Sequence, residues 1–142
     1  MAVVLAAFNR PKVRKLMKTL TLSVLPYHLA VCRLDRASLV PAWLLDLPFW
    51  SVTRTADELS LVLPEENVPG EWKNEKGGRG LMVRGPREFS LVGILAALAA
   101  ALAVAGIPIF ALSTFDTDYL LVKEPDLLHA VEVLTASGYE VL

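Results

Sequence analysis

Two short segments hold the residues of this sequence that are best suited to bind a small molecule. Residues 113–118 read Ser-Thr-Phe-Asp-Thr-Asp and bring hydroxyls and two carboxylates together between two apolar stretches, which suits an ammonium group. Residues 89–93 are predicted to open a helix, whose first turn presents N–H groups without intrahelical partners and a positive dipole end that suit a carboxylate. With Asp118 on one side and close backbone approach at Gly93 on the other, the pair predicts a site for a free amino acid.

The same carboxylates also have a purely structural interpretation. Asp116 and Asp118 can organise a tight turn by accepting hydrogen bonds from backbone amides. The residues alone leave both interpretations open.

The remainder of the sequence offers little for catalysis. His28 and His129 are about 100 residues apart, and neither has neighbours at the spacing of metal ligands. The glycine-rich run at 77–80 lacks the Lys-Ser/Thr pair of a phosphate-binding loop, and Cys32 lies in an apolar strand pattern that favours an inert buried thiol. We therefore predict no catalytic residue, no metal site and no cofactor, and a small enzyme is the weakest of the alternatives.

Length, charge and cysteine content narrow the class of protein further. A chain of 142 residues makes one domain or two very small ones. Fourteen Lys plus Arg against fifteen Asp plus Glu give a net charge of −1, which is not the footprint of a nucleic-acid-binding protein. The single cysteine excludes an intrachain disulfide and fits a reducing, cytoplasmic setting.

The longest uncharged stretch, residues 89–115, raises the alternative of a membrane protein. Its length satisfies the rule of about 20 apolar residues for a transmembrane helix. Gly106 and Pro108 interrupt it, however, so the pattern indicates a helix of about 16 residues followed by a strand, which is too short to cross a bilayer. We predict that this helix packs on a sheet and that the protein has no membrane partner.

Apolar alternation and turn residues predict the order of elements. The second half reads as strand 81–84, helix 89–105, strands 107–112 and 118–122, a helix opened by Pro125 and stopped by Gly138, and strand 139–142. The first half reads as extended segments within 19–34 with a turn at 26–28, a short helix after Ser38, and strands 49–53 and 59–63. The order βαββαβ predicts a ferredoxin-like α+β fold, an antiparallel sheet with helices on one face.

The first half repeats the opening βαββ of the second half, which indicates a weak internal duplication. The predicted organisation is an N-terminal extension or mis-annotated start over 1–17, a truncated first repeat over 18–66, a linker over 67–79 and a second domain over 80–142. The uncovered face of each sheet would need a partner, which pairing between the halves or between two chains would supply.

The quoted patterns resemble the ACT domain family. The stretch FSLVGILAALAAALAVAGIPIFALSTFDTDYLLV in the second copy, with LAVCRL and FWSVTRTADELSLVLP in the first, is similar to small bacterial proteins built of two ACT domains and to the ACT repeats of the cytosolic arginine sensor of animal cells. The resemblance covers about residues 18–142, and the S-T-[FY]-x-x-D run is its most specific part. It implies two tandem ACT-like repeats of the ferredoxin-like fold.

The resemblance also implies a function. ACT domains are typically non-catalytic regulatory modules that bind amino acids at interfaces between domains, so it implies an allosteric, cytoplasmic homodimer with a small amino acid as ligand and a possible protein partner. Carried over by position, the ligand-binding residues are Val92, Gly93, Ile94, Thr114, Phe115 and Asp118. The alternative is a ligand-free structural or dimerisation module that interacts with a protein partner.

Overall fold

The computed structural model describes residues 20–84 and 93–142. Its strands are β1 (Thr21–Leu34), β2 (Ser51–Arg54), β3 (Leu59–Pro64), β4 (Lys73–Arg84), β5 (Phe110–Ser113), β6 (Asp118–Lys123) and β7 (Glu140–Val141). Its α-helices are α1 (Ile94–Val104) and α2 (Leu127–Ala136), with short 3₁₀ helices at Ala42–Asp46, Glu65–Asn67 and Glu124–Asp126. The predicted extension over 1–17 lies outside the described residues.

The chain divides into two compact units. The inserted unit is Pro26–Arg79, and the helical unit is the chain on either side of it, described over residues 20–25, 80–84 and 93–142. This division differs from the predicted one, because residues up to Leu25 belong with Gly80–Leu142 rather than with a repeat over 18–66.

In the helical unit, β4, α1, β5, β6, α2 and β7 follow one another along the chain, which confirms the predicted βαββαβ order. The strand order is β1-β4-β6-β5, and β5 and β6 are antiparallel with Phe110 opposite Leu121. β7 pairs with β1 instead of β4, and this pair is parallel, with Thr21 opposite Glu140. The prediction of a purely antiparallel sheet is therefore wrong at this one pair, because an extra strand from before the insertion joins the sheet.

The two α-helices cover one face of this sheet. α1 buries Leu98 and Leu102, and α2 buries Ala130 and Leu134, each pair spaced four residues apart on one side of its helix. Strand and helix side chains form one core: Leu20, Leu22, Leu81, Val83, Leu98, Leu102, Ile107, Leu120, Val122, Ala130, Leu134 and Tyr139. Among the described helices, none is long and apolar enough to cross a membrane.

The predicted C-terminal ends of the two helices match the structure more closely than the predicted N-terminal starts do. Gly106 follows α1, where the Ile107 N–H donates to the Leu102 carbonyl at 2.9 Å, and Gly138 follows α2. α1 begins at Ile94 rather than at residue 89, and residues 89–92 lie outside the described part. α2 begins after Pro125, which lies in the preceding 3₁₀ helix because its missing N–H costs nothing in a first turn.

The inserted unit has the strand order β2-β3-β1-β4, and its β2–β3 and β3–β1 pairs are antiparallel. The predicted β2–β3 hairpin is confirmed, and the Thr55 N–H donates to the Glu58 carbonyl at 2.9 Å to close its turn. Within this unit the predicted short helix is a 3₁₀ helix at Ala42–Asp46, entered from Pro41 and not from Ser38. Its core is Ala30, Cys32, Leu44, Leu59, Leu61 and Leu63.

Three predictions for the first half are not confirmed. The predicted turn at 26–28 is wrong, because β1 runs unbroken from Thr21 to Leu34. Pro26 lies after the residues that pair with β7 and before those that pair with β3, and a strand tolerates its missing N–H there. The loop predicted over 67–79 is wrong from Lys73 onward, where β4 begins. The first of the two predicted tandem repeats is not established either, because both helical segments within the described inserted unit are 3₁₀ turns.

Candidate functional site

The Ser-Thr-Phe-Asp-Thr-Asp segment connects β5 to β6 in the helical unit. The Thr114 N–H donates to the Thr117 carbonyl at 2.8 Å, and the Thr117 N–H donates to Thr114 Oγ1 at 3.2 Å. Thr114 Oγ1 also lies 3.1 Å from the Thr117 carbonyl. Two threonines three residues apart therefore hold the connection closed, which is the local bonding that such hydroxyl residues favour in turns.

Asp118 stands at the base of this connection. Its Oδ1 accepts a hydrogen bond from Ser113 Oγ at 2.6 Å, and the two residues are directly opposite each other in the β5–β6 pair. A carboxylate has two oxygens and about four acceptor positions, so this bond leaves it able to accept from an ammonium group. Asp118 is half-buried, whereas Phe115 at the tip of the loop is 92% exposed.

A second contact attaches the loop to the strand that precedes α1. Thr117 Oγ1 donates a hydrogen bond to the Val83 carbonyl near the end of β4. The start of β6 therefore lies beside the end of β4, and the chain runs on from there to Gly93 and α1.

The beginning of α1 carries no capping side chain. Gly93 is the residue before the helix, and its φ of +94° lies in the left-handed region that side chains other than glycine rarely adopt. The Ala97 N–H donates to the Gly93 carbonyl at 2.9 Å, which starts the helical pattern, and the first turn holds no acidic residue. The N–H groups at the start of α1 are thus without a side-chain cap, as an anion-binding helix terminus requires.

Among the described residues, the predicted site residues form two groups, one in the β5–β6 loop and one at the start of α1. Thr114 and Asp118 share one hydrogen-bonded loop with Phe115, and Gly93 and Ile94 adjoin at the start of α1. Val92 lies outside the described residues. The sequence reasoning did not name Ser113 or Thr117 as site residues, although their hydroxyls make the bonds that fix the loop and its attachment.

Other chemistry is sparse in the part of the chain that the structure covers. Within it no group of His, Cys, Asp and Glu side chains is placed to hold a metal ion. His129 Nδ1 lies 3.8 Å from a Glu132 carboxylate oxygen one helical turn away, which is a surface arrangement. Cys32 is buried, and desolvation raises the pKa of its thiol to about 11 in spite of the opposing charge of Lys76, so the nucleophilic thiolate is scarce at neutral pH.

Comparison with known proteins identifies the fold of the helical unit. A family model described as ACT domain matches residues 74–136, the region that holds the loop and the start of α1. This part of the chain is an ACT domain. A second family model, which describes an N-terminal domain, matches residues 28–71.

A solved structure resembles most of the chain. Protein Atu0741 from Agobacterium tumefaciens, an X-ray structure, is 34% identical with a TM-score of 0.82, and the match covers 87% of this chain and 92% of that one. No curated protein matches the chain.

More distant structures share the fold alone. A Vibrio cholerae protein of unknown function, described as a possible transport protein, is 19% identical with a TM-score of 0.75, over 89% of this chain and 96% of that one. The ligand-free regulatory subunit of aspartate kinase from Thermus thermophilus is 8% identical with a TM-score of 0.58, over 82% of this chain and 96% of that one.

Proposed function

We propose that this chain is a non-catalytic, regulatory ACT-domain protein of the cytoplasm that binds a small amino acid. The ligand is held in the helical unit by the start of α1 and by the loop that ends at Asp118. The protein acts as a homodimer whose assembly, or whose contact with a protein partner, depends on occupancy of this site. Sharing the ACT fold with a regulatory subunit supports this role.

The observation that carries the proposal is that one ACT unit holds both a helix start without a capping side chain and a half-buried carboxylate. Gly93 leaves the positive end of α1 without a side-chain cap, which suits the ligand carboxylate. Asp118 supplies a half-buried carboxylate at the end of the loop, which suits the ligand ammonium group. A free amino acid carries both charges at a fixed separation, whereas a simple anion or cation would use only one end.

The remaining proposed contacts serve shape and orientation. Val92 and Ile94 flank Gly93 and supply apolar surface, and Thr114 supplies a hydroxyl. Phe115 supplies an exposed aromatic ring that a ligand or partner can cover. Regulation then follows from linkage, since a ligand that binds one assembly more tightly than another shifts the population toward the first.

We also propose that the inserted unit is a reduced copy of the same fold. Its order of strand, 3₁₀ helix, two strands, 3₁₀ helix and strand matches βαββαβ with each helix shortened to a single turn. On this proposal the reduced copy spans Pro26–Arg79 instead of the predicted 18–66, and the second domain adds residues up to Leu25 to the predicted 80–142.

A thermal-shift screen against the twenty amino acids tests the function, with three matched variants. Asp118→Asn removes the charge, Ser113→Ala removes the same hydrogen bond but keeps the carboxylate, and Asp116→Ala removes an exposed carboxylate of the same loop. We expect one or a few amino acids to stabilise the wild type, Ser113→Ala and Asp116→Ala, and to have no effect on Asp118→Asn. A ligand at about 100 times its dissociation constant adds roughly 2.7 kcal/mol, which a melting curve resolves.

The second candidate is the ligand-free module, and the Ser113–Asp118 hydrogen bond favours it, because it gives Asp118 a structural task. On this candidate no amino acid shifts the melting temperature of the wild type, of Ser113→Ala or of Asp116→Ala. That result would contradict the proposed sensor.

A further inference from the structure

The inserted unit exposes a cluster of large apolar side chains. Within twelve consecutive residues, Leu39 is 87% exposed, Leu45 is 71% exposed, and three further apolar residues are each more than a third exposed. We name these five residues the tryptophan patch: Leu39, Val40, Trp43, Leu45 and Trp50. Single exposed apolar residues are ordinary on protein surfaces, but a local concentration that includes two tryptophans is typical of an interaction surface.

The aromatic part of the patch is fixed by the packing beneath it. Trp43 stacks on Trp72 with ring centroids 5.9 Å apart and an angle of 29° between the rings. Trp72 in turn packs on the core of the inserted unit, and Leu44, between Trp43 and Leu45, is buried in that core. Trp43 therefore presents a pre-positioned aromatic ring, which lowers the entropy cost of binding and is typical of an interface anchor.

The segment that leads to Leu39 is held in place by arginine side chains. Arg54 donates from its guanidinium to the Arg36 carbonyl and, at 2.6 Å, to the Ser38 carbonyl. Arg36 donates to the Ala56 carbonyl at 3.3 Å, which attaches the same segment to the β2–β3 turn. The exposed leucine thus stands on a braced segment instead of collapsing onto the core.

We propose that the tryptophan patch is the surface through which two copies of this chain pair around a two-fold axis. The exposed area of its five side chains is on the order of 500 Å². This is more than half of the roughly 800 Å² that each partner contributes to a stable interface of standard size. A surface of this size matches a globular partner of its own dimensions better than it matches a small ligand.

Charge along the segment that carries the patch favours a second copy as the occupant. The charged residues from 35 to 54 are two acidic and two basic ones, all exposed: Asp35, Arg36, Asp46 and Arg54. In a two-fold interface the same segment faces its own copy, so charges of one sign would repel each other. Equal numbers of opposite charges can complement themselves, whereas they give no net attraction to a strongly acidic or basic partner.

The test is the mass of the full chain measured by sedimentation equilibrium over a wide range of protein concentration. We expect a dimer for the wild type, and at least about tenfold weaker association for Leu39→Asp and for Leu45→Asp, because each copy buries the new charge. Leu128→Asp is the matched control, since Leu128 is 78% exposed on α2 in the other unit, and we expect it to associate like the wild type.

A second measurement does not depend on how the leucine variants fold. Ala42→Cys places a thiol inside the patch, and Glu132→Cys places one on the exposed side of α2. With a short bis-maleimide, we expect covalent dimers from Ala42→Cys and none from Glu132→Cys.

The inference rests on the proposed homodimer, and the outcomes separate the two. A wild type that is dimeric but indifferent to Leu39→Asp and Leu45→Asp overturns the patch and leaves the homodimer. A wild type that is monomeric at every concentration overturns both the patch interface and the homodimer. A monomer whose patch binds phospholipid vesicles or another protein overturns them as well. Amino-acid stabilisation, measured on the same samples, reports on the ligand site independently of pairing.

Discussion

Ser113 Oγ donates a hydrogen bond to Asp118 Oδ1 over 2.6 Å, across the last directly opposed pair of β5 and β6. The bond closes the hairpin at the point where the chain enters the Thr114–Thr117 turn. It also orients the carboxylate that we propose as the partner of a ligand ammonium group. One contact therefore serves both the turn and the site, and the two roles separate only by experiment.

Ser113→Ala and Asp118→Ala are expected to lower the free energy of unfolding by about 0.5–1.5 kcal/mol each, the usual net value of one hydrogen bond. The double variant is expected to lose no more than the larger single loss, because both changes remove the same contact. Urea unfolding measures all three. Strictly additive losses would show that the contact does not stabilise the hairpin.

Gly80→Ala is expected to destabilise the helical unit by about 1–3 kcal/mol through overpacking. A Cβ at Gly80 would lie 2.6 Å from Leu25 Cδ1 and 3.2 Å from Leu25 Cγ, and Leu25 is buried. Gly70→Ala is the control, because nothing lies within 4 Å of its added Cβ. Thermal unfolding of both variants measures the difference.

Leu25→Ala in the Gly80→Ala background identifies the cause of that loss. If Leu25 is the obstacle, the double variant loses less than the sum of the single losses, since the shortened side chain makes room for the new methyl group. Equal stabilities of Gly80→Ala and Gly70→Ala would contradict overpacking against Leu25.

The sequence predicted the helical unit well because its signals are local. A short apolar run between turn residues predicted β6, and the glycines after α1 and α2 predicted where each helix ends. The parallel pairing of β7 with β1 was out of reach, because it joins Thr21 to Glu140 across almost the whole chain and leaves no local trace. The charged, glycine-rich start of β4 looked like a loop, and its strand is imposed by neighbouring strands instead of by its own propensity.

The site was predictable only in part, for a similar reason. The Ser-Thr-Phe-Asp-Thr-Asp run identified the loop, since hydroxyl and carboxylate residues between strands mark a turn. The bond from Thr117 to the Val83 carbonyl joins residues 34 apart in sequence and could not be inferred from either segment. The tryptophan patch was missed because the spacing of Leu39, Trp43, Leu44 and Leu47 fits an α-helix, whereas a 3₁₀ helix buries only Leu44 among its residues.

Arg54→Lys is expected to lower the free energy of unfolding by about 1–2 kcal/mol, although it keeps the charge. The guanidinium reaches the carbonyls of Arg36 and Ser38 together, and an ammonium group lacks the planar fork that serves two acceptors at once. Arg36→Lys is the comparison, because Arg36 makes a single longer bond to Ala56, and we expect a smaller loss. Urea unfolding checks both, and equal losses would contradict the bracing role of Arg54.

Cys32 is expected to make stability fall at alkaline pH. Burial raises the pKa of its thiol from 9.0 to about 11, so the unfolded chain releases this proton at lower pH than the folded protein. The contribution is fully present below pH 9.0 and is lost as the pH rises toward about 11. Burial also raises the pKa of Tyr139, which adds a loss of the same sign above its ordinary value of 10.0. In urea unfolding across this range, Cys32→Ala should show a shallower decline than the wild type, and parallel curves would show that the thiol ionises equally in both states.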